Sequence, residues 1–208
     1  MAFARIAGYP YPMPPSPLFE ELDYRKTPLG DLILRRRILR SLGHLEIHEI
    51  LLGDAYLMSS LFTEVEKALS RLGLAAASES FPGAAALDVV VGGLGLGYTA
   101  RAALEHDSVA SLHVVDILEP VIEWHEKGLV PLGPGLVADP RCRFVHGDFF
   151  RLALAPASEP GFDPDHPARL FHAVLLDIDH SPANLLHERH GRFYRAEGLR
   201  ILAAKIHP

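Results

Sequence analysis

Apolar runs of strand length alternate with helical segments through the second half of the chain. The runs that predict strands are residues 87–91, 111–115, 143–146 and 171–176. Residues 98–106, 119–127 and 196–206 have helical composition. Continuous apolar runs rich in β-branched residues are typical of strands that are buried on both faces. The alternation therefore predicts an α/β domain over residues 84–208, with a parallel sheet between layers of helices.

A different pattern precedes this domain. Residues 31–37, 45–52 and 55–58 predict short antiparallel strands, with turns at T-P-L-G (residues 27–30) and at Gly53-Asp54. Ser59 or Ser60 is a suitable N-cap for a helix that Gly73 would end, followed by a small-residue linker over residues 75–83. We therefore expect a β-hairpin unit with one helix over residues 21–74, after a proline-rich, irregular lead-in over residues 1–20.

Composition narrows the functional classes. The chain has 208 residues, a net charge of −6 and a single cysteine, Cys142. The negative charge disfavours unselective nucleic-acid binding. A single cysteine cannot form an internal disulfide, and the absence of internal disulfides is usual for proteins of a reducing compartment. No apolar run has the length of a membrane span, and the N-terminus lacks the apolar core of a signal peptide. We therefore expect a cytoplasmic protein with neither a nucleic acid nor a membrane as partner.

A glycine cluster separates the first strand of the α/β domain from its helix. Gly93, Gly95 and Gly97 form G-x-G-x-G, and glycine permits positive φ angles and close contact between a ligand and the backbone. Tyr98 occupies the place of the third glycine in a dinucleotide fingerprint, which disfavours a nicotinamide-dependent oxidoreductase. The loop therefore suits a nucleoside better than a pyrophosphate, the alternative being a tight structural turn.

Three of the four predicted strands are followed by an acid: Asp116, Asp148 and Asp177. Ligands of open parallel sheets bind outside the carboxyl ends of the strands, so these acids and the glycine loop should converge on one crevice. There Asp116 can accept hydrogen bonds from ribose hydroxyls, and Asp148 can accept one from the amino group of a base. Asp177 would face the reacting group.

The stretch LLDIDHSP, residues 175–182, is the candidate chemical centre. Asp177 and Asp179 would share a face if the strand continued, and either carboxylate can orient or deprotonate an amine. His180 is a second acid–base candidate because imidazole titrates near neutrality. The alternative is that Asp179 and His180 cap the turn before Pro182. The spacing of His187 and His190 lacks the partner ligands of zinc motifs, so no metal site is predicted.

These motifs together resemble a known family. VVVGGLGLGYTARAAL, VVDILEPVIEWH, DPRCRFVHGDFF and HAVLLDIDHSP are similar to spermidine-synthase-like members of the class I S-adenosylmethionine-dependent methyltransferase superfamily, over residues 24–208. The resemblance implies a Rossmann-like methyltransferase fold and S-adenosylmethionine, or its decarboxylated form, as cofactor. It implies that the loop of Gly93, Gly95 and Gly97 runs alongside the nucleoside and its methionine-derived tail, and binds them. Asp116 would hold the ribose, Asp148 would bind adenine, and Asp177 would position and deprotonate an attacking amine.

The chain departs from this family where the acceptor would bind. His180 stands in the place of the second acid of the D-[ST]-[ST]-D-P stretch, Tyr56 in the place of a glutamine, and Val65 in the place of a tyrosine. The favoured function is therefore methyl transfer to a small-molecule acceptor, which can be an amine, with Asp177, His180 and Asp179 as catalytic residues. The alternatives are aminopropyl transfer from decarboxylated S-adenosylmethionine and a non-catalytic nucleoside-binding or dimerising module.

The resemblance also predicts how many strands the parallel sheet has. Family members continue past the position of Pro208 with further strands, so we expect a sheet that is truncated after the fourth core strand. That strand would then have an open edge, and open edges promote pairing between chains. A homodimer is therefore expected.

Overall fold

A computed structural model describes residues 18–156, 159, 161–179 and 181–208 of the chain. Most of the predicted lead-in, and the candidate His180, lie outside the described residues. Phe19 and Glu20, predicted to be irregular, belong to the first strand instead. That strand pairs with its neighbour from Phe19 onward, so the sheet begins earlier than the sequence pattern predicted.

The predicted N-terminal hairpin unit is a four-stranded antiparallel sheet in chain order. The strands are β1 (Phe19–Thr27), β2 (Gly30–Leu39), β3 (Leu45–Leu52) and β4 (Ala55–Ser59). Leu32 and Leu34 on β2 are fully buried and lie opposite Leu52 and Ile50 on β3. This alternation places one face of the sheet on the core, as expected for strands of period two.

The second sheet is parallel and Rossmann-like, which confirms the predicted fold class. Its strands are β5 (Leu87–Gly92), β6 (Val109–Asp116), β7 (Cys142–His146) and β8 (Ala173–Leu176), in the order β7-β6-β5-β8. Since β5 has β6 on one side and β8 on the other, the strand order reverses at β5, beside the glycine loop. Such a switch point is where open α/β sheets bind ligands. The β8 strand lies at one edge, where Phe171, just before it, forms a parallel bridge with Ile206.

The first helix, α1 (Glu64–Ser80), is longer than predicted. The prediction that Gly73 ends it is wrong, and residues 75–80 form its last turns instead of a linker. A Cβ on Gly73 would lie 2.4 Å from Leu175 Cδ2, so the glycine allows the helix to pack closely on β8. Leu74 and Ala77 are buried in the same hydrophobic cluster as Leu34 of the antiparallel sheet, and α1 therefore joins the two units.

The remaining helices lie in the α/β unit. They are α2 (Tyr98–Leu104), α3 (Glu119–Glu126), α4 (Gly133–Ala138), α5 (Phe149–Leu154) and α6 (Ala196–Ala203). The sequence pattern missed α4, whose glycine and proline content is typical of a loop, and also α5. Among the described residues, no helix combines the length and the apolar composition needed to cross a membrane.

Candidate functional site

A cavity of about 710 Å³ lies at the carboxyl ends of the parallel strands. The antiparallel unit contributes an apolar wall, and the parallel sheet contributes the glycine loop and three acids. The apolar wall consists of Leu29, Ile50, Leu52, Leu57 and Met58. The structure thus brings Gly93, Gly95, Asp116, Asp148 and Asp177 to the wall of one cavity.

The glycine loop keeps its shape through positive φ angles, which are 94° at Gly93, 47° at Gly95 and 90° at Gly97. A Cβ on Gly95 would lie 2.7 Å from Met58 Sδ, and the Leu96 N–H donates to the same sulfur at 3.0 Å. Gly97 differs from the prediction because it packs against Leu136 and His125 and does not line the cavity. The first two glycines therefore line the cavity, whereas the third allows close packing against Leu136 and His125.

Asp116 joins the two loops that follow β5 and β6. Its carboxylate accepts the Leu94 N–H and the Leu118 N–H, each at 2.8 Å. Burial raises the pKa of Asp116, while the hydrogen bonds from the main chain act to lower it. Since each carboxylate oxygen has two lone pairs, the group retains acceptor capacity for the predicted ribose hydroxyls.

Asp148 is the N-cap of α5, where its Oδ1 accepts the Arg151 N–H at 3.2 Å. Its Oδ2 lies 3.3 Å from Arg189 Nη2, and both residues line the cavity. The acid predicted to bind adenine therefore has a cationic partner that the sequence did not indicate, because Arg189 lies on a 3₁₀ turn (Glu188–Arg192) far along the chain.

Asp177 and Glu66 are two acids of the cavity wall that lie close enough for the charge of one to affect the other. Asp177 Oδ2 accepts the Thr99 hydroxyl of α2 at 2.5 Å. Burial raises the pKa of Asp177, an effect that the Thr99 hydrogen bond partly offsets. Burial also raises the pKa of Glu66, and the nearby charge of Asp177 raises it further. Sequence reasoning missed Glu66, and the one available signal was its place beside Val65, where the family resemblance expects a tyrosine.

Asp179 does not share a strand face with Asp177, because β8 ends at Leu176. Its carboxylate accepts the Leu186 N–H at 2.7 Å and the Tyr194 hydroxyl at 3.1 Å. His190 Nδ1 lies 2.9 Å from the same carboxylate. The two acids of the predicted chemical centre therefore have different partners, although both line the cavity.

The other departures from the family pattern also have definite places. The Tyr56 hydroxyl donates to the buried Glu49 carboxylate, and Tyr56 is not on the cavity wall. Val65 lines the cavity and is 79% exposed, so it lies at the mouth. At the two positions where the resemblance expects a tyrosine and a glutamine, the structure therefore has an apolar residue at the cavity mouth and a tyrosine hydrogen-bonded away from the cavity.

At the other end of the parallel sheet, Asp88, His172 and His207 form a group of close polar side chains within the described part of the chain. The Asp88 N–H donates to His172 Nδ1 at 3.0 Å, and Asp88 Oδ1 accepts from Arg169 at 2.7 Å. These contacts give the group a structural role in fixing the start of β5 and β8.

No family model and no curated protein matches the chain. Solved structures do match. A spermidine synthase in complex with the transition-state analogue AdoDATO has a TM-score of 0.63 at 16% identity, over 89% of this chain and 54% of that chain. The spermidine synthase from Thermotoga maritima has a TM-score of 0.61 at 15% identity, over 89% of this chain and 53% of that chain. The chain spans about half the length of these proteins. At such identities the likeness is one of fold, and this chain has the spermidine-synthase-like, class I methyltransferase fold that the sequence motifs predicted.

Proposed function

We propose that this chain carries the cofactor site of a transferase that uses S-adenosylmethionine or its decarboxylated form and alkylates an amine. The observation that carries the proposal is the charge of the cavity wall. Its acids are Glu66, Asp116, Asp148, Asp177 and Asp179. Such a wall favours a pair of cationic reactants, namely a donor with a sulfonium group and an acceptor with an ammonium group.

The same wall favours the decarboxylated cofactor. Among the described lining residues Arg189 is the single lysine or arginine, and it is paired with Asp148. The carboxylate of S-adenosylmethionine would therefore lie among acids, with no unpaired lysine or arginine of the described wall to neutralise it. Its binding would be weakened by desolvation and by repulsion between like charges. Decarboxylated S-adenosylmethionine has no such group, so aminopropyl is the transferred group that this chemistry favours.

In the proposed reaction, the lone pair of the acceptor amine attacks the carbon that is bonded to the sulfonium sulfur. The C–N bond forms, the C–S bond breaks, and the electron pair goes to sulfur, which leaves neutral methylthioadenosine. The sulfonium is already electrophilic, so most of the acceleration comes from holding the two reactants in line. Asp177 and Glu66 supply the charge that holds the amine, and Asp116 holds the ribose.

Methyl transfer is the second candidate. The side chains that replace the family's acceptor contacts favour it, because Tyr56 is bonded to Glu49 away from the cavity and Val65 offers no hydrogen bond. A site without those contacts suits a smaller acceptor than a diamine. Its product would be S-adenosylhomocysteine.

The product identifies the reaction. The full chain is incubated with either cofactor and a panel of monoamines and diamines, and the nucleoside product is separated by chromatography. We expect methylthioadenosine from the decarboxylated cofactor, whereas S-adenosylhomocysteine from S-adenosylmethionine would select methyl transfer. Binding without turnover across the panel would select a nucleoside-binding module.

Calorimetry tests the cofactor site itself. We expect methylthioadenosine to bind the wild-type chain, and Asp116→Asn to weaken that binding about ten- to a hundredfold, since a hydrogen bond to a charged acceptor contributes about 1.5–3 kcal/mol. Asp54→Asn, in the exposed turn between β3 and β4, is the matched control and should bind as the wild type does. No binding of methylthioadenosine or S-adenosylhomocysteine by folded wild-type protein would refute the proposal.

A further inference from the structure

His190 is held in one orientation on the cavity wall. Its Nδ1 lies 2.9 Å and 3.2 Å from the two carboxylate oxygens of Asp179. Its ring stacks on Phe150, with 3.9 Å between the centroids. The side chain is 9% exposed, and the residue lines the same cavity as the glycine loop and Asp177.

Asp179 is fixed as firmly as the ring that it orients. Its side chain has no solvent exposure, and it also accepts the Leu186 N–H and the Tyr194 hydroxyl. An ionised carboxylate only accepts hydrogen bonds, so the proton of a neutral His190 ring lies on Nδ1. The lone pair is then on Nε2, which has no hydrogen-bond partner among the described residues.

A purely structural role does not require this arrangement. Leu186 and Tyr194 already donate one hydrogen bond to each oxygen of Asp179, and an apolar ring could also stack on Phe150. A histidine in their midst adds one feature, a basic nitrogen of fixed orientation with a carboxylate behind it. Carboxylate-backed imidazoles are effective acid–base groups because the carboxylate stabilises the imidazolium that forms.

We propose that His190 Nε2 accepts the proton of the acceptor ammonium in the reaction described above, with Asp179 as its positioning residue. The inference rests on the proposed function. One N–H bond of the ammonium breaks, its proton goes to Nε2, and the freed lone pair attacks the carbon on sulfur. The imidazolium then returns the proton to water after the product leaves.

In this reaction, different groups attract the amine and accept its proton. Asp177 and Glu66 attract the cationic amine by charge, and Asp177 is additionally bound by Thr99. His190 then supplies the basic nitrogen, Nε2. The charged and titratable groups around it are Asp179 and Tyr194, His187 at 5.9 Å between ring centroids, and the Asp148–Arg189 pair on the same cavity wall.

The first test observes the imidazole directly and does not depend on turnover. The full chain is labelled with ¹⁵N-histidine, and the His190→Gln variant assigns the His190 signals. We expect the Nδ1–H tautomer, and we expect putrescine, used as an amine probe, to shift the Nε2 signal. The inference would be overturned by an Nε2–H tautomer. It would also be overturned if putrescine shifted the signals of other cavity histidines and left the Nε2 signal of His190 unchanged.

The second test measures kinetics with decarboxylated S-adenosylmethionine and putrescine. His190→Gln should lower kcat about a hundredfold or more while KM changes little, because general-base catalysis contributes about that factor. Asp179→Asn should lower kcat less, and His44→Gln, in an exposed turn, is the matched control with unchanged kcat. Circular dichroism and methylthioadenosine binding show whether each variant remains folded.

The outcomes separate the two proposals. A wild-type chain that binds no methylthioadenosine contradicts the proposed function. A wild-type chain that turns over, together with a folded His190→Gln variant of equal kcat, contradicts the role of His190 alone. A variant that changes KM and leaves kcat intact would likewise assign His190 to binding instead of proton transfer.

Discussion

Replacing Gly93 by alanine tests how the glycine loop is held against the parallel sheet. Gly93 follows β5, and its φ of 94° lies in a region that side chains with a Cβ rarely adopt. Its N–H donates to the Val115 carbonyl at 2.9 Å, so the residue cannot rotate without losing this bond. An added Cβ would lie 2.2 Å from the Asp177 carbonyl oxygen, which belongs to the backbone after β8.

Two costs therefore add in the Gly93→Ala variant. A positive φ costs an L-residue about 1–2 kcal/mol, and overpacking against a fixed neighbour costs about 1–3 kcal/mol. We expect the free energy of unfolding to fall by about 2–5 kcal/mol, a large share of the 5–15 kcal/mol that is usual for a domain. Gly83→Ala is the matched control, because a Cβ there meets open space and its φ is not positive, so its effect should stay within about 0.5 kcal/mol.

Urea unfolding followed by circular dichroism measures both variants. With an m-value of about 2–3 kcal/mol/M, a loss of 3 kcal/mol lowers the midpoint by about 1–1.5 M at an unchanged slope. A Gly93→Ala variant that unfolds at the wild-type midpoint would refute the reasoning, since the loop would then tolerate the side chain without strain. An equal fall of the midpoint in Gly83→Ala would also contradict the reasoning, because a Gly→Ala change that acts through the unfolded chain raises stability, and Gly83 has neither the positive φ nor the close contact of Gly93.

Two further predictions concern hydrogen bonds to Asp177, which is half-buried, and to Asp163, which is buried. Thr99→Val keeps the shape of the side chain and removes the bond to Asp177, so stability should fall by about 1–3 kcal/mol. Because that bond opposes the rise that burial causes in the pKa of Asp177, the pKa should rise further, and calorimetry with putrescine should show binding that requires a higher pH; identical pH dependence in variant and wild type would contradict this. For Asp163, burial acts to raise the pKa, but hydrogen bonds from Arg169 and the main chain outweigh it, and the net pKa is lowered. The stabilisation is therefore present above the unfolded value of 3.8 and is lost as the pH falls below it. The urea midpoint of the wild type should fall more between pH 7 and about pH 3 than that of Asp163→Asn, and equal falls would disprove the linkage.

The sequence indicated the framework of the site because the relevant signals are local. The apolar runs that became β5 to β8 lie in their predicted places within a few residues, since a strand buried on both faces must be apolar throughout. Asp116, Asp148 and Asp177 follow from the same signal, because the end of each strand fixes where its acid must lie. The order of strands brings these ends together around the glycine loop.

Contacts between distant segments were outside the reach of local patterns. Gly73 predicts a helix end, but tertiary packing on Leu175 overrides this preference and uses the missing side chain for close approach. Glu66 joins Asp177 only because α1 crosses β8, and Arg189 reaches Asp148 only through the 3₁₀ turn near the end of the chain. Nothing in the spacing of these residues distinguishes them from surface charges.

The sequence by itself determined the α/β fold, the glycine loop and the acids at the strand ends, because each depends on a short pattern of apolar runs and small residues. Only the tertiary structure decided which polar groups pair on the cavity wall. Asp179 with His190, Asp177 with Thr99 and Asp148 with Arg189 are pairs whose members lie on different elements. Their geometry arises from how helices and strands pack, and that packing is a property of the whole chain.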